Sequence, residues 1–297
     1  MMERLRTPKL GHCQLQNASQ FHYKVFKPLD IGRIIFPSKG ERIYGLVIEA
    51  KTKKGVIYGL LKLMKASGAI PRYICFSMPR TRSDSAKVLA FIDLTRSRVS
   101  AREALELIRK QLHVKNVELI EPTKSGIVAD TYFFPLVIGN KRAIIFQREL
   151  YEALFRGIRE EFGSAGEALL YYQGVNVGIK FYEECVEISG NENIDDLLDI
   201  AEVISATLGF GIIEIVELDQ KNGRAKVRIY NSFECELGGN CGKPYSHFFR
   251  GLICGFATCL FGEKIKVEET KCIAKGDAYC EFTITTQSKM LKSAAKG

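Results

Sequence analysis

The strongest constraint on this fold is a changing hydrophobic period between Glu41 and Pro122, which runs strand, helix, strand, strand, helix, strand. Arg42–Ala50 has the residue pattern of a strand, and Val56–Ala66 puts Val56, Leu60, Leu63 and Met64 on one helical stripe. Arg72–Met78 and Val88–Leu94, rich in Ile, Phe, Tyr and Val, form two further strands. Ser100 with Glu103 three residues on makes a capping box, and Ala104, Leu105, Ile108 and Leu112 are the buried face of the helix it opens. Val117–Ile120 is the last strand, stopped by Pro122.

This order is the split βαβ, ferredoxin-like arrangement: a four-stranded antiparallel sheet with two helices on one face. Residues 41–122 resemble the ACT regulatory domain, a small amino-acid-sensing module that usually pairs through its sheets, by element order and glycine placement. Gly55, just before the first helix, stands where an ACT domain turns and often meets its ligand. Taken alone it serves equally as the turn of a packing module.

The 297 residues suit two domains. We expect an irregular leader over 1–40 with a short strand around Phe21–Phe26, the ACT-like domain over 41–122, a connector over 123–147, a second domain over 148–287 and a polar tail over 288–297. No run reaches the ~18 apolar residues of a spanning helix, and Met1-Met2-Glu3-Arg4-Leu5-Arg6 lacks the apolar core of a secretion signal, so the expected location is cytoplasmic. Residues 1–122 carry 23 basic and 10 acidic side chains, whereas 123–297 carry 20 and 24. That asymmetry suits either a solvated lysine-rich surface or a polyanionic partner such as nucleic acid, although no nucleic-acid motif accompanies it.

In the second domain Leu150, Leu154, Ile158 and Phe162 make a helical stripe that Gly163 ends. A helix over Ala165–Ile188 carries Gly166, Gly174 and Gly178. Helix-interior glycine costs ~1 kcal/mol, so a close helix or ligand is expected there, and the expected partner is a second copy in a homodimer. Asn193 caps a helix over Ile194–Leu208. Asn222-Gly223 joins strands Ile212–Leu218 and Ala225–Tyr230 in a hairpin. A helix over Tyr245–Phe261 and strands Lys264–Cys272 and Ala278–Thr285 complete the domain.

Seven of nine cysteines lie from Cys185 onward. In a reducing compartment they are thiols or metal ligands rather than disulfides. Cys272 and Cys280 flank a turn at Gly276-Asp277 that can return the second thiol to the first, with Cys235 and Cys241 on a nearby segment. Zinc needs four S, N or O donors, and a hairpin plus a loop can supply them, but this spacing leaves free thiols equally open. Cys254 and Cys259, inside a helix, suit buried small residues.

Glu268-Glu269-Thr270-Lys271-Cys272-Ile273-Ala274-Lys275-Gly276-Asp277-Ala278-Tyr279-Cys280-Glu281-Phe282 resembles the closing signature of the 4-vinyl reductase domain. Gly251–Phe256, Asn231–Glu234 and Gly163-Ser164-Ala165-Gly166 extend the resemblance. It implies an α/β domain with an antiparallel sheet, dimeric through its helices, with an apolar pocket near a zinc site. Relatives include accessory proteins of chlorophyll vinyl-group reduction and phenol-sensing domains of activators. Cys272 and Cys280 match two of the family's zinc ligands, and Glu234 an acidic ligand of the phenol sensors. Those sensors place another cysteine five residues before the glycine that Gly251 matches, and that position is Ser246 here. The implied set is therefore Cys235, Cys272 and Cys280 with Cys241 fourth, and Glu234 and His247 as competitors. The expected pocket residues are Tyr172, Phe233, Phe249, Ile253 and Phe256.

No catalytic constellation, Rossmann fingerprint or phosphate loop is present. The expected α+β protein is a non-enzymatic sensor of a small apolar or aromatic ligand, with structural zinc, acting as a ligand-biased dimer on an unidentified protein partner. Two alternatives are an accessory substrate-binding subunit of a tetrapyrrole or other reductase, and a basic nucleic-acid-associated adaptor.

Overall fold

The computed structural model describes residues 28–51, 56–77, 85–111 and 114–288. The strand expected at Phe21–Phe26, Gly55 and nearly all of the polar tail lie outside them. The chain forms two compact units, residues 27–144 and the part from Ile145 onward. No helix among the described residues is long and apolar enough to cross a membrane.

The first unit contains β1 (Ile34–Ile35), β2 (Ile43–Lys51), α1 (Val56–Ser67), β3 (Ile70–Ser77), β4 (Ser85–Asp93), α2 (Ala101–Arg109), β5 (Val114–Ile120), β6 (Val128–Ala129), β7 (Val137–Ile138) and β8 (Lys141–Arg142). Its main sheet is antiparallel in the order β3-β4-β2-β5. Side chains alternate across its two central strands. Leu46, Ile48, Ala50, Val88, Ala90 and Ile92 join Met64, Ala104 and Ile108 from the helices in one core. Ile43, Val47, Leu89 and Phe91 point the other way, into a second core with Ile120 and Val128. The Ser100 capping box opens α2 through both reciprocal hydrogen bonds.

That second core corrects the expected leader and connector. Ile34 pairs with Ala129 and Ile35 with Val128, so parts of both segments cover the sheet face that faces away from the helices. Arg33 locks the ladder through an ion pair to Asp130 at 2.6 Å and a hydrogen bond to the Phe133 carbonyl at 2.8 Å.

The second unit contains α3 (Arg148–Ser189), α4 (Ile194–Thr207), β9 (Ile212–Asp219), β10 (Arg224–Tyr230), α5 (Phe233–Gly238), α6 (His247–Phe261), β11 (Ile265–Lys271), a 3-10 turn (Ile273–Lys275) and β12 (Cys280–Thr286). The sheet runs β11-β12-β10-β9 and is antiparallel. Gly163 (φ 52°, ψ −128°) breaks α3 into two arms, a backbone that glycine adopts without strain. The first arm presents Tyr151, Phe155 and Ile158 inward, while Leu150, Leu154 and Phe162 of the expected stripe are exposed.

The second arm of α3 crosses α6 at backbone distance. A Cβ at Gly174 would lie 2.1 Å from the Phe248 carbonyl oxygen, and one at Gly178 2.0 Å from that of Leu252. Reciprocally, Gly251 and Gly255 would meet the Tyr171 and Val175 carbonyls at 2.0 and 2.1 Å. Gly174 and Gly178 are thus filled from within the chain, and Gly166 abuts Ile158 across the kink, so the packing argument for a second copy falls away.

Candidate metal centre and apolar cavity

Three elements carry the thiols to one point. α5, whose Cys235 amide donates to the Ser232 hydroxyl, holds Cys235 fully buried. Cys272 follows β11 and Cys280 opens β12, with the turn between them tied by the Cys272 amide to Asp277 Oδ2 at 2.8 Å and the Lys275 amide to the Cys272 carbonyl at 2.9 Å. The Sγ atoms of Cys235 and Cys272 are 3.6 Å apart, those of Cys235 and Cys280 3.4 Å. The fourth donor is Glu269, and one donor atom from each of these four residues lies within 4.8 Å of the others.

Ser246 sits among them as a hub. Its hydroxyl lies 2.8 Å from Cys235 Sγ, 2.8 Å from Glu269 Oε1 and 3.5 Å from Cys280 Sγ. The Ile273 amide donates to Cys280 Sγ at 3.4 Å. Tetrahedral bonds of ~2.3 Å to sulfur would space the sulfurs at ~3.8 Å, so the observed separations are within a few tenths of an ångström of a metal cage.

Electrostatics point the same way. Hydrogen bonds from Cys235 and Cys280 hold the Cys272 thiol far below the usual range. Cys235 is pushed well up by its hydrogen bonds with Cys272 and Cys280 and by burial. At Cys280 the bond with Cys235 lowers the value, but the bond with Cys272 and burial outweigh it and lift the thiol to about 12. Burial, then the hydrogen bond with Cys272, raises Glu269 to about 8. Four acids this close, three of them fully buried, cannot all ionise unless a cation joins them. The residues present therefore fit a metal ion.

The other expected ligands lie elsewhere. Cys241 is exposed, its sulfur directed at the Lys243 and Ala274 carbonyls at 3.4 and 3.8 Å. Glu234 is fully buried but already engaged: it accepts from the Phe248 and Phe249 amides at 3.0 and 2.9 Å, capping α6, and pairs with Arg159. Burial pushes its carboxyl up against these three opposing donors. His247 Nε2 faces Glu167 at 3.6 Å in the α3–α6 contact, where burial lowers its pKa. Glu269 escaped the sequence reading because plain alternation puts it on the opposite face from Cys272. A bulge at Thr270, where pairing slips between Glu269 and Lys271, turns both inward.

A second feature lies between α3, α4, α6 and the sheet: an apolar cavity of about 60 Å³ whose walls include Phe181, Leu198, Ile215, Val227, Ile253 and Phe256. Ile253 and Phe256 were expected there. Tyr172 is instead 66% exposed. Phe233 and Phe249 form an aromatic cluster with Phe155, Phe210 and Phe248. A larger cleft of about 390 Å³ at the α3 kink is lined by Arg156, Arg159 and Lys243, but each is paired with a carboxylate, Glu152, Glu234 and Glu167 respectively.

Two uncharacterized proteins of Methanocaldococcus jannaschii are each 28% identical to this chain, one over 141 residues (46% of this chain, 77% of that protein) and the other over 130 (44% and 71%). Among solved structures, the phenol-responsive sensory domain of the transcription activator PoxR, determined with phenol, aligns at 16% identity and a TM-score of 0.46, over 53% of this chain and 85% of that one. The V4R domain family model matches residues 225–286, a span that includes all three clustered cysteines, Glu269 and the whole closing signature. The second unit therefore carries a V4R domain.

Proposed function

We propose that this chain is a non-enzymatic small-molecule-binding protein of the sensor kind. Its second unit would take a small apolar or aromatic ligand between α3, α4, α6 and the sheet, and separately hold a structural zinc at Cys235, Glu269, Cys272 and Cys280. The observation that carries the reading is the cavity: its lining is apolar from every element that contributes to it. Zinc suits a donor set of three sulfurs and one carboxylate, and four protein donors leave no open position for a reacting water. The zinc's part is to fix α5 to the β11–β12 hairpin, since metal binding energy is folding energy.

The first unit is read as an ACT-like regulatory module on its element order, and the output as passing to a protein partner. A second copy is the proposed cover for the exposed apolar residues Leu150, Leu154, Leu169 and Tyr172 of α3, which light scattering at micromolar concentration would test.

The ligand reading is tested by thermal shift with benzene and phenol, the smallest aromatic probes, on protein of known zinc content, because a cavity of about 60 Å³ must widen to admit even one ring. A ligand that binds only the folded chain must raise Tm. Ala257 lines the cavity, so Ala257→Leu should abolish the shift while leaving zinc content unchanged. A panel that shifts nothing, or a shift that survives Ala257→Leu, would overturn the site.

A further inference from the structure

α5 is only six residues long, yet three consecutive side chains face three different neighbours. Cys235 joins the thiol cluster, Glu234 meets Arg159, and Phe233 packs edge-on against Tyr151 and Phe155 at centroid distances of 5.6 and 5.2 Å. Tyr151, Phe155 and Arg159 all belong to the first arm of α3, as does Arg156, which donates to the Leu237 carbonyl at 2.6 Å.

Arg159 is the strongest tie. Its guanidinium reaches Glu234 and the Tyr245 carbonyl, donates to its own arm at the Phe155 carbonyl, and lies 3.9 Å above the Tyr245 ring. Glu234 and Tyr245 are the neighbours in sequence of Cys235 and Ser246, so one side chain of the arm grips the cluster on two sides. The helix changes direction at Gly163 between this arm and the second arm, which is packed against α6 by close glycine contacts.

We propose that α5 is a coupler: a metal ion that fixes Cys235 fixes α5, and α5 orders the first arm of α3 through Arg159–Glu234 and Phe233. This inference rests on the metal reading above and names how that site is put to use. The first arm is the stretch through which the chain enters the second unit, so metal loading changes the element that follows the first unit in sequence. Coupling of this kind is established only where both ends respond to one element.

The test is hydrogen exchange on the full chain, stripped with chelator and then reloaded with zinc, comparing amides 149–162 with amides 170–186. Zinc should slow exchange in the first arm by about tenfold or more relative to the second arm. Arg159→Met alone strands a buried carboxylate and risks misfolding. The double variant Arg159→Met/Glu234→Gln removes both charges, and the Gln carbonyl can still accept from α6. It should bind one zinc per chain, as wild type should, and protect the Cys272–Cys280 turn on loading, yet show less zinc-dependent protection of the first arm than wild type, since only the Phe233 and Arg156 contacts remain. Protection equal to wild type would overturn the Arg159–Glu234 tie. Absence of zinc binding in wild type would overturn the metal reading itself. Zinc binding with no change in the first arm, or with equal change in both arms, would leave the metal reading standing and overturn the coupler.

Discussion

Replacing Gly178 by alanine sets two terms of opposite sign against each other. In an open helix interior the change gains ~1 kcal/mol, because glycine loses more backbone freedom on folding than any other residue. At Gly178 the added Cβ would lie 2.0 Å from the Leu252 carbonyl oxygen and 2.9 Å from the Phe256 amide nitrogen, both backbone atoms of α6. Ordinary contact would require α3 and α6 to separate by more than ~1 Å, a gap at which dispersion contacts lose roughly a quarter to a half of their strength. Overpacking of this kind costs ~1–3 kcal/mol or more, and a displacement shared by two long helices belongs at the upper end. The net expectation is a loss of ~2 kcal/mol, or a fall in Tm of ~4–8 °C for a domain this size. Gly157, on the first arm, supplies the internal control: nothing lies within 4 Å of its added Cβ, so Gly157→Ala should raise stability by ~0.5–1 kcal/mol. Urea unfolding of both variants reads the difference directly. A Gly178→Ala protein as stable as Gly157→Ala would refute the close crossing, and with it this packing of α3 against the cavity wall.

Two further outcomes follow from buried polar groups. Because Ser246 Oγ stands 2.8 Å from Cys235 Sγ, Cys235→Ser should abolish stoichiometric zinc binding, and Cys235→Ser/Ser246→Cys should restore it. Elemental analysis of the purified variants decides this, and a double variant no better than the single one contradicts the shared cage. Glu202 accepts from the Ile215 amide at 3.1 Å, and burial raises its carboxyl above the ordinary 4.5. A folded pKa above the unfolded one contributes stability that is full below about 4.5 and is lost as pH rises through the folded value. Glu202→Gln keeps an acceptor for Ile215 without the charge, so it should be the more stable protein at pH 7, with the advantage vanishing near pH 4 in denaturant titrations at the two pH values.

What could be read from the sequence was what local physics decides. The Ser100 capping box, the alternation of β2 and β4 and the Asn222-Gly223 hairpin depend on neighbours a few residues away, and the structure shows all three. The first arm of α3 shows where this stops. Leu150 and Leu154 are spaced for a helical stripe, but so are Tyr151 and Phe155, and the choice is made by Phe233, some eighty residues downstream. The two-residue strands β1 and β6 are too short to announce themselves and exist because the second face of their sheet must be covered. The glycines of α3 correctly signalled a close neighbour. Its identity lay in the matching four-residue spacing of Gly251 and Gly255.

The candidate metal site turns on the same distinction, applied to charge. Two carboxylates stand beside its cysteines, Glu234 fully buried and Glu269 half-buried, and adjacency in sequence favours Glu234, which directly precedes Cys235. Each carboxylate has to find a compensating charge, and the two differ in what they find. Glu234 has a guanidinium and two helix amides, so its charge is met without a metal. Glu269 has a hydroxyl from Ser246 and the Cys272 thiol, and among the described residues no ion pair reaches it. A largely desolvated carboxylate without a cation is the costlier of the two to keep ionised, and with no cation beside it Glu269 holds its proton to about pH 8. The donor set a metal ion would take is therefore Glu269 with the three thiols, because the carboxylate on the bulged strand, and not the one next to Cys235, is left without a cation.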